Sequence, residues 1–260
     1  MSDETWGNIS LTGGQLTYIT IGDLHIWIKS QNDEVWIAHG YTHELKEKPG
    51  SQGPPNDLTW GRWADKSGSE EVEILPVYPD KPLIVHSEYP LKVSPNTKIQ
   101  IFSRIPIWVR ISLAKNHYQL IELPTVKLSR TWFGTPVEGE LCYHATTKAR
   151  RDLSSVDKKQ YVVSCPILIH NKSGDALDFE HFCLRVERLS MYQHNGDLWA
   201  DQTEIIYHGE DLNSDVIMTG KLPKDIDKKD QISRPRKQIQ KSLATRTFKR
   251  IFHDTMDWGR

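Results

Sequence analysis

The stretch Tyr161–Gln193, YVVSCPILIHNKSGDALDFEHFCLRVERLSMYQ, constrains the fold more than any other part of the chain. Two runs rich in β-branched, aromatic and other apolar residues flank Asn171-Lys172-Ser173-Gly174-Asp175. Stiff, branched side chains suit a pleated surface. Asn, Gly and Asp give the backbone the freedom that a reversal needs. The expected unit is a hairpin: a strand, a turn and a long second strand. In that second strand, alternation puts Phe182, Leu184, Val186 and Arg188 on one face. Cys183, Arg185, Glu187 and Leu189 take the other, with a bulge expected near Leu189-Ser190.

The same period runs through the rest of the chain. LTYITI, the Gly22-Asp23 turn, LHIWIK and EVWIAH read as a three-strand antiparallel meander. Residues 46–71 break the pattern with Pro and Gly and read as a surface insertion. Between 72 and 128, short β runs are punctuated by prolines, which cannot donate to a ladder and belong at edges, strand starts or bulges. Within IPIWVRISL, the residues Ile105, Ile107, Val109, Ile111 and Leu113 share one face, as expected of one central strand. The expected architecture is all-β, with two tandem β-sandwich-like (Ig-like) units at 1–128 and 129–220. Residues 221–260 then form a charged linker and a basic amphipathic α-helix. That helix rests on the spacing of Ile239, Leu243, Ile251 and Phe252, with Phe248 between them.

The tail is also a separate electrostatic object. Residues 221–260 carry twelve Lys and Arg against five Asp and Glu, although the whole chain has a formal net charge of −1. Such a segment favours an acidic protein partner or an anionic surface, with nucleic acid the less favoured choice. The expected interaction face is Arg236, Lys237, Ile239, Lys241, Leu243, Phe248, Lys249, Arg250, Ile251 and Phe252. A homo-oligomer is compatible with the sequence. Three cysteines are too few and too odd in number for a disulfide framework, which fits a reducing compartment. The opening MSDETWGNIS has no basic region or apolar run, and no stretch of about 18 apolar residues follows. A cytoplasmic location is the expectation.

Catalytic patterns are missing. There is no G-x-S-x-G elbow, no phosphate-binding loop and no dinucleotide fingerprint. Cys165 precedes Pro166 in an apolar run, which predicts an inert buried thiol. The leading expectation is therefore a non-enzymatic binding or scaffolding protein, with no catalytic residue and no cofactor, acting through its C-terminal helix. One alternative is a metal-binding or metal-dependent domain. Cys142 and His144 share a strand face, as do His181 and Cys183, and four such donors suit a tetrahedral zinc ion if the strands pair in register. Another is a carbohydrate-binding module that stacks sugar on exposed Trp27, Trp36, Trp60 or Trp63.

The run FGTPVEGELCYHATTKARRD, followed by VVSCPILIHNKSGDAL and HFCLRVERLSMY, resembles a family of uncharacterised prokaryotic proteins, found notably in archaea and classed as a domain of unknown function. The resemblance covers mainly residues 132–192. It implies no catalytic residue, since the family has no established activity, and it is consistent with a cytoplasmic prokaryotic protein.

Overall fold

The structure, a computed structural model, describes residues 5–65, 70–137, 139–153, 159–209, 214–237, 242–245 and 248–249. The first strands are β1 (Gly7–Ser10), β2 (Thr17–Ile21), β3 (Leu24–Gln31), β4 (Glu34–Tyr41), β5 (Gly61–Ala64) and β6 (Glu71–Val77). Next come β7 (Leu83–Val93), β8 (Lys98–Pro106), β9 (Trp108–Leu113), β10 (Gln119–Pro124), β11 (Arg130–Phe133) and β12 (Glu140–His144). The long strands β13 (Val162–Asn171) and β14 (Leu177–Leu184) precede β15 (Met191–His194), β16 (Asp197–Ala200), β17 (Thr203–Tyr207) and β18 (Ser214–Met218). The chain closes with β19 (Gln231–Ser233), β20 (Ser242–Thr245) and β21 (Phe248–Lys249). These strands form four sheets, ordered β1-β6-β9-β10, β2-β3-β4-β5, β11-β12-β7-β14-β21 and β19-β15-β16-β13-β17-β18-β20, with β8 also on β13.

The Asn171 turn does not close a hairpin. β13 pairs with β8, β16 and β17, whereas β14 pairs with β7 and β21. The turn arches from one sheet to another. Asn171, fully buried, holds it: its amide donates to Val93 O (2.8 Å) and Asp175 O (2.7 Å). Its carbonyl oxygen accepts from Ser173 N–H (2.9 Å) and Ser173 Oγ (2.7 Å). β7 and β8 make the same crossing one layer over, and the two arches stack, β7 on β14 and β8 on β13. Between the two sheets lies the larger core, with Leu83, Val85, Ile101, Ile105, Ile167, Ile169, Phe179 and Phe182 at its heart. The smaller core lies between the other two sheets, where Ile26, Ile28, Ile37, Ile74, Val109 and Ile111 meet.

This arrangement corrects the expected fold on two counts. The chain is not two tandem units, because β7 and β8 build one sandwich with strands from beyond residue 160. IPIWVRISL is accordingly two strands. The chain changes sheets at Ile107, so Ile105 and Ile107 enter the larger core while Val109, Ile111 and Leu113 enter the smaller. Alternation stays intact through the switch, which is why the sequence alone reads as one strand. HFCLRVERLSMYQ is likewise broken, by a 3-10 turn at Val186–Arg188.

Nor do the described residues of the tail form the expected C-terminal helix. The only helical elements among the described residues are three 3-10 turns, each of three residues. β20 pairs antiparallel with β18, and β21 with β14. Ile239 and Leu243, like Leu243 and Ile251, are separated by multiples of four. Such spacing suits one helix stripe, but it also puts residues on one face of a strand. Two open sheet edges decide the matter, since each offers the backbone a ladder. No helix among the described residues is long and apolar enough to cross a membrane.

The insertion after β4 covers the outer face of β3 and β4. Trp27 is fully buried there and donates its indole N–H to Gly50 O at 2.8 Å. A Cβ on Gly40 would come within 2.6 Å of Leu45 Cδ2, so glycine is what lets that cover sit close.

Candidate functional site

The four expected metal ligands lie on one sheet, but their strands do not pair. β7 runs between β12 and β14, with His144 opposite Ile84 on one side and Cys183 opposite Ile84 on the other. Period-two alternation then puts Cys142, His144, Ile84, His86, His181 and Cys183 on the same outer face. The two sulfurs converge to 3.9 Å, at 0% and 1% exposure, packed with Ile84 and Phe133. The imidazoles gather separately around His86, which the sequence reading missed. His86 stacks on His144 at 6.0 Å between ring centres and lies 5.0 Å from His181. Burial pushes the His86 imidazole down, helped by His144 and Lys148 and opposed by Glu180. Among the described residues, no three His, Cys, Asp or Glu side chains stand so as to hold a metal ion. The hydrogen bond between the thiols, with burial, pushes Cys183 well above the usual thiol range. Arg185, buried beside it, acts in the opposite direction and bonds the Glu140 carboxylate.

The basic residues that begin the tail turn inward. Arg236 donates to Glu122 through Nη1 (3.0 Å), forms an ion pair with the same carboxylate through Nη2 (2.8 Å), and lies over the Trp108 ring. Lys237 Nζ stands 3.5 Å from the buried Glu187 carboxylate. Leu243 belongs to β20, and Phe248 and Lys249 to β21. Ile239, Lys241, Arg250, Ile251 and Phe252 fall outside the described residues.

Nor do the tryptophans make an open platform. Trp27 is wholly buried, and Trp63 packs partly buried against the smaller core. Trp36 and Trp60 meet edge to face at 6.1 Å between ring centres. Lys29 Nζ lies 4.5 Å from the Trp36 ring centre and 5.0 Å from that of Trp60, and Arg62 Cζ is 4.3 Å from Trp36. The protein's own cations thus occupy these rings.

A cleft that no motif announced lies between two sheet edges. β5 pairs with β4 only over Glu34–Ile37, leaving the edge open from His39 to Tyr41. β10, at the edge of its own sheet, faces that gap. The cleft holds about 430 Å³ and has Leu45, Leu58, Ile121 and Leu123 among its walls. Tyr41 Oη donates to Pro124 O at 2.6 Å and ties the two edges together. At the rim, Lys127 pairs with Glu44 and lies 4.4 Å above the Tyr41 ring. Its hydrogen bond holds the Glu44 carboxyl below the usual range. Burial, with Lys127 nearby, pushes the His39 imidazole down, against Glu44. His39 is therefore neutral at pH 7, and its buried Nδ1 has no hydrogen-bond partner. Among the described residues the lining holds no Ser, Thr or Cys, and its one hydroxyl, that of Tyr41, is engaged by Pro124 O. A second hollow of about 380 Å³ beside the Asn32-Asp33 turn is lined by Asp33, Glu34, Asp65 and Glu70.

A family model described as a protein of unknown function, DUF432, matches residues 5–254. No curated protein and no solved structure matches the chain.

Proposed function

The chain belongs to this family of proteins of unknown function, DUF432, and from that premise we propose that it is a non-enzymatic binding protein whose ligand sits between β4 and β10. The observation that carries the reading is the cleft itself: about 430 Å³, apolar in its walls, with a buried and unpartnered His39 Nδ1. That volume lies in the range of small-molecule sites, and apolar walls with a few placed polar groups are their usual make-up. The ligand class that fits is a compact molecule with a flat apolar body and one hydrogen-bonding group for His39. A charged or polar end would meet Glu44 and Lys127 at the rim. Three buried free thiols support a reducing, cytoplasmic setting for this protein.

Ligand-observed NMR with a set of small aromatic and heteroaromatic fragments tests the proposal. Fragments of the stated class should bind the wild-type protein. His39→Leu should weaken them about tenfold, the worth of one hydrogen bond. Leu58→Trp, which fills the cleft from its loop, should abolish binding while circular dichroism stays unchanged. Binding that survives Leu58→Trp, or no fragment binding at all, overturns the reading.

A further inference from the structure

We propose that Cys142 and Cys183 form a two-sulfur site for a soft, univalent d¹⁰ metal ion of the copper(I) or silver(I) type. The site is on a different sheet from the cleft, so each proposal can fail alone.

Two metal–sulfur bonds of about 2.3 Å span about 3.8 Å at a tetrahedral angle and about 4.6 Å in line. The in-line geometry of a two-coordinate ion asks for the longer value, so the sulfurs, 3.9 Å apart, would open by about 0.7 Å as the ion enters. A disulfide bond is about 2.05 Å long, so the sulfurs would have to close by almost half their separation. At rest the two thiols share a hydrogen bond, and taking up an ion would move them less than closing a disulfide.

Donor type narrows the choice. Structural zinc takes four N or S ligands, and among the described residues no third side chain joins these two sulfurs in a set able to hold an ion. Thiolate donors favour soft ions such as copper(I), and two of them suffice for a two-coordinate d¹⁰ centre. Both sulfurs are buried beside Ile84 and Phe133, and the neighbouring oxygens are those of Glu140, 3.8 Å from Cys183 Sγ through its carboxylate and 3.6 Å from Cys142 Sγ through its carbonyl, hard donors that a soft ion passes over for sulfur.

Charge is the next test. Each thiol releases its proton to solvent as the ion binds. Two thiols and one univalent cation therefore give a bis-thiolate complex of charge −1 and two free protons. No electron is transferred, so the ion must arrive already univalent. The buried guanidinium of Arg185, at 4% exposure, lies next to Cys183 and is shared between that charge and the Glu140 carboxylate it already bonds.

Silver(I) serves as a redox-inert probe. The full-length, reduced, metal-free protein is titrated anaerobically against excess monothiol competitor and observed by native mass spectrometry. One silver ion per chain should be retained, with a mass gain of one silver less one proton, because a univalent ion replaces one proton at a given charge state. Cys142→Ser and Cys183→Ser each remove one of only two ligands and should weaken retention by more than about a hundredfold, the upper end of what loss of a mere outer-shell partner costs. Cys165→Ser should leave it unchanged. Because Ser at a buried position can perturb the fold, Cys142→Ala and Cys183→Ala are measured alongside, with circular dichroism as the control. Retention that persists in the Cys142→Ala/Cys183→Ala double variant overturns the proposal. So does failure to outcompete the monothiol, or retention that depends on Cys165.

Discussion

At the scale of single residues, the most consequential ionisable group is Asp201. It is 2% exposed and accepts the Ser190 N–H at 2.9 Å. Burial nevertheless pushes its carboxyl from the ordinary 3.8 up to about 6. The folded protein therefore holds this proton more tightly than the unfolded chain does. The stability this provides is complete below pH 3.8 and is lost as pH rises through about 6. At neutral pH the ionised group costs about 3 kcal/mol relative to its protonated form. Asp201→Asn keeps an oxygen for Ser190 N–H and removes the ionisation. The variant should gain up to about 3 kcal/mol at pH 7 and lose the slope between pH 4 and 6, as read from urea midpoints. A slope identical to the wild type would exonerate Asp201. The candidate sulfur pair is also partly legible at this scale. Each Cys sits two residues from a His, and period two puts all four on one sheet face. His86 was not legible, because it reaches the same face from β7, distant in sequence from both pairs.

At the scale of elements, the tail carries the lesson. Every fourth residue apolar is ambiguous between a helix stripe and a strand face, because four is both close to 3.6 and a multiple of two. What resolves it is the presence of two unpaired sheet edges, at β18 and β14, which β20 and β21 occupy. The tail thereby joins the two sheets of the larger core along one side. Ending the chain after Lys237 would remove both strands while keeping Arg236 on Glu122 and Lys237 on Glu187. The truncated protein should melt more than about 4 °C lower. Its newly bare edges should also promote self-association, detectable by light scattering. An unchanged melting point would mean that the two strands contribute nothing to stability.

At the scale of the whole molecule, the decisive feature is the stacking of the two arches. β7 and β8 lie early in the chain, between strands of the smaller sandwich, yet they pair with β14 and β13. A fragment of residues 1–128 would leave Leu83, Val85, Ile101 and Ile105 without the opposing Phe179, Phe182, Ile167 and Ile169. That fragment should fail to fold, giving collapsed or aggregated material and no dispersed amide spectrum by NMR. A well-dispersed spectrum would show that the first half is independent after all. The cleft belongs to this scale too. Its walls come from residues 39–58 on one side and 121–127 on the other, two segments that carry no shared motif.

The sequence by itself determined the all-β character, the turn at Asn171 and which residues alternate into the core. Those follow from side-chain stiffness, proline's missing donor and period two, all of them local. Only the tertiary structure decided which strands pair, where the chain changes sheets and what becomes of the tail. A strand's ladder partners are chosen by backbone groups that every residue carries alike, so pairing across long separations leaves little trace in the side chains. The same holds for the sites. The sulfur pair is foreshadowed by local spacing, but its 3.9 Å separation exists only because β12 and β14 flank β7, and the cleft only because two sheet edges far apart in the chain come to rest side by side.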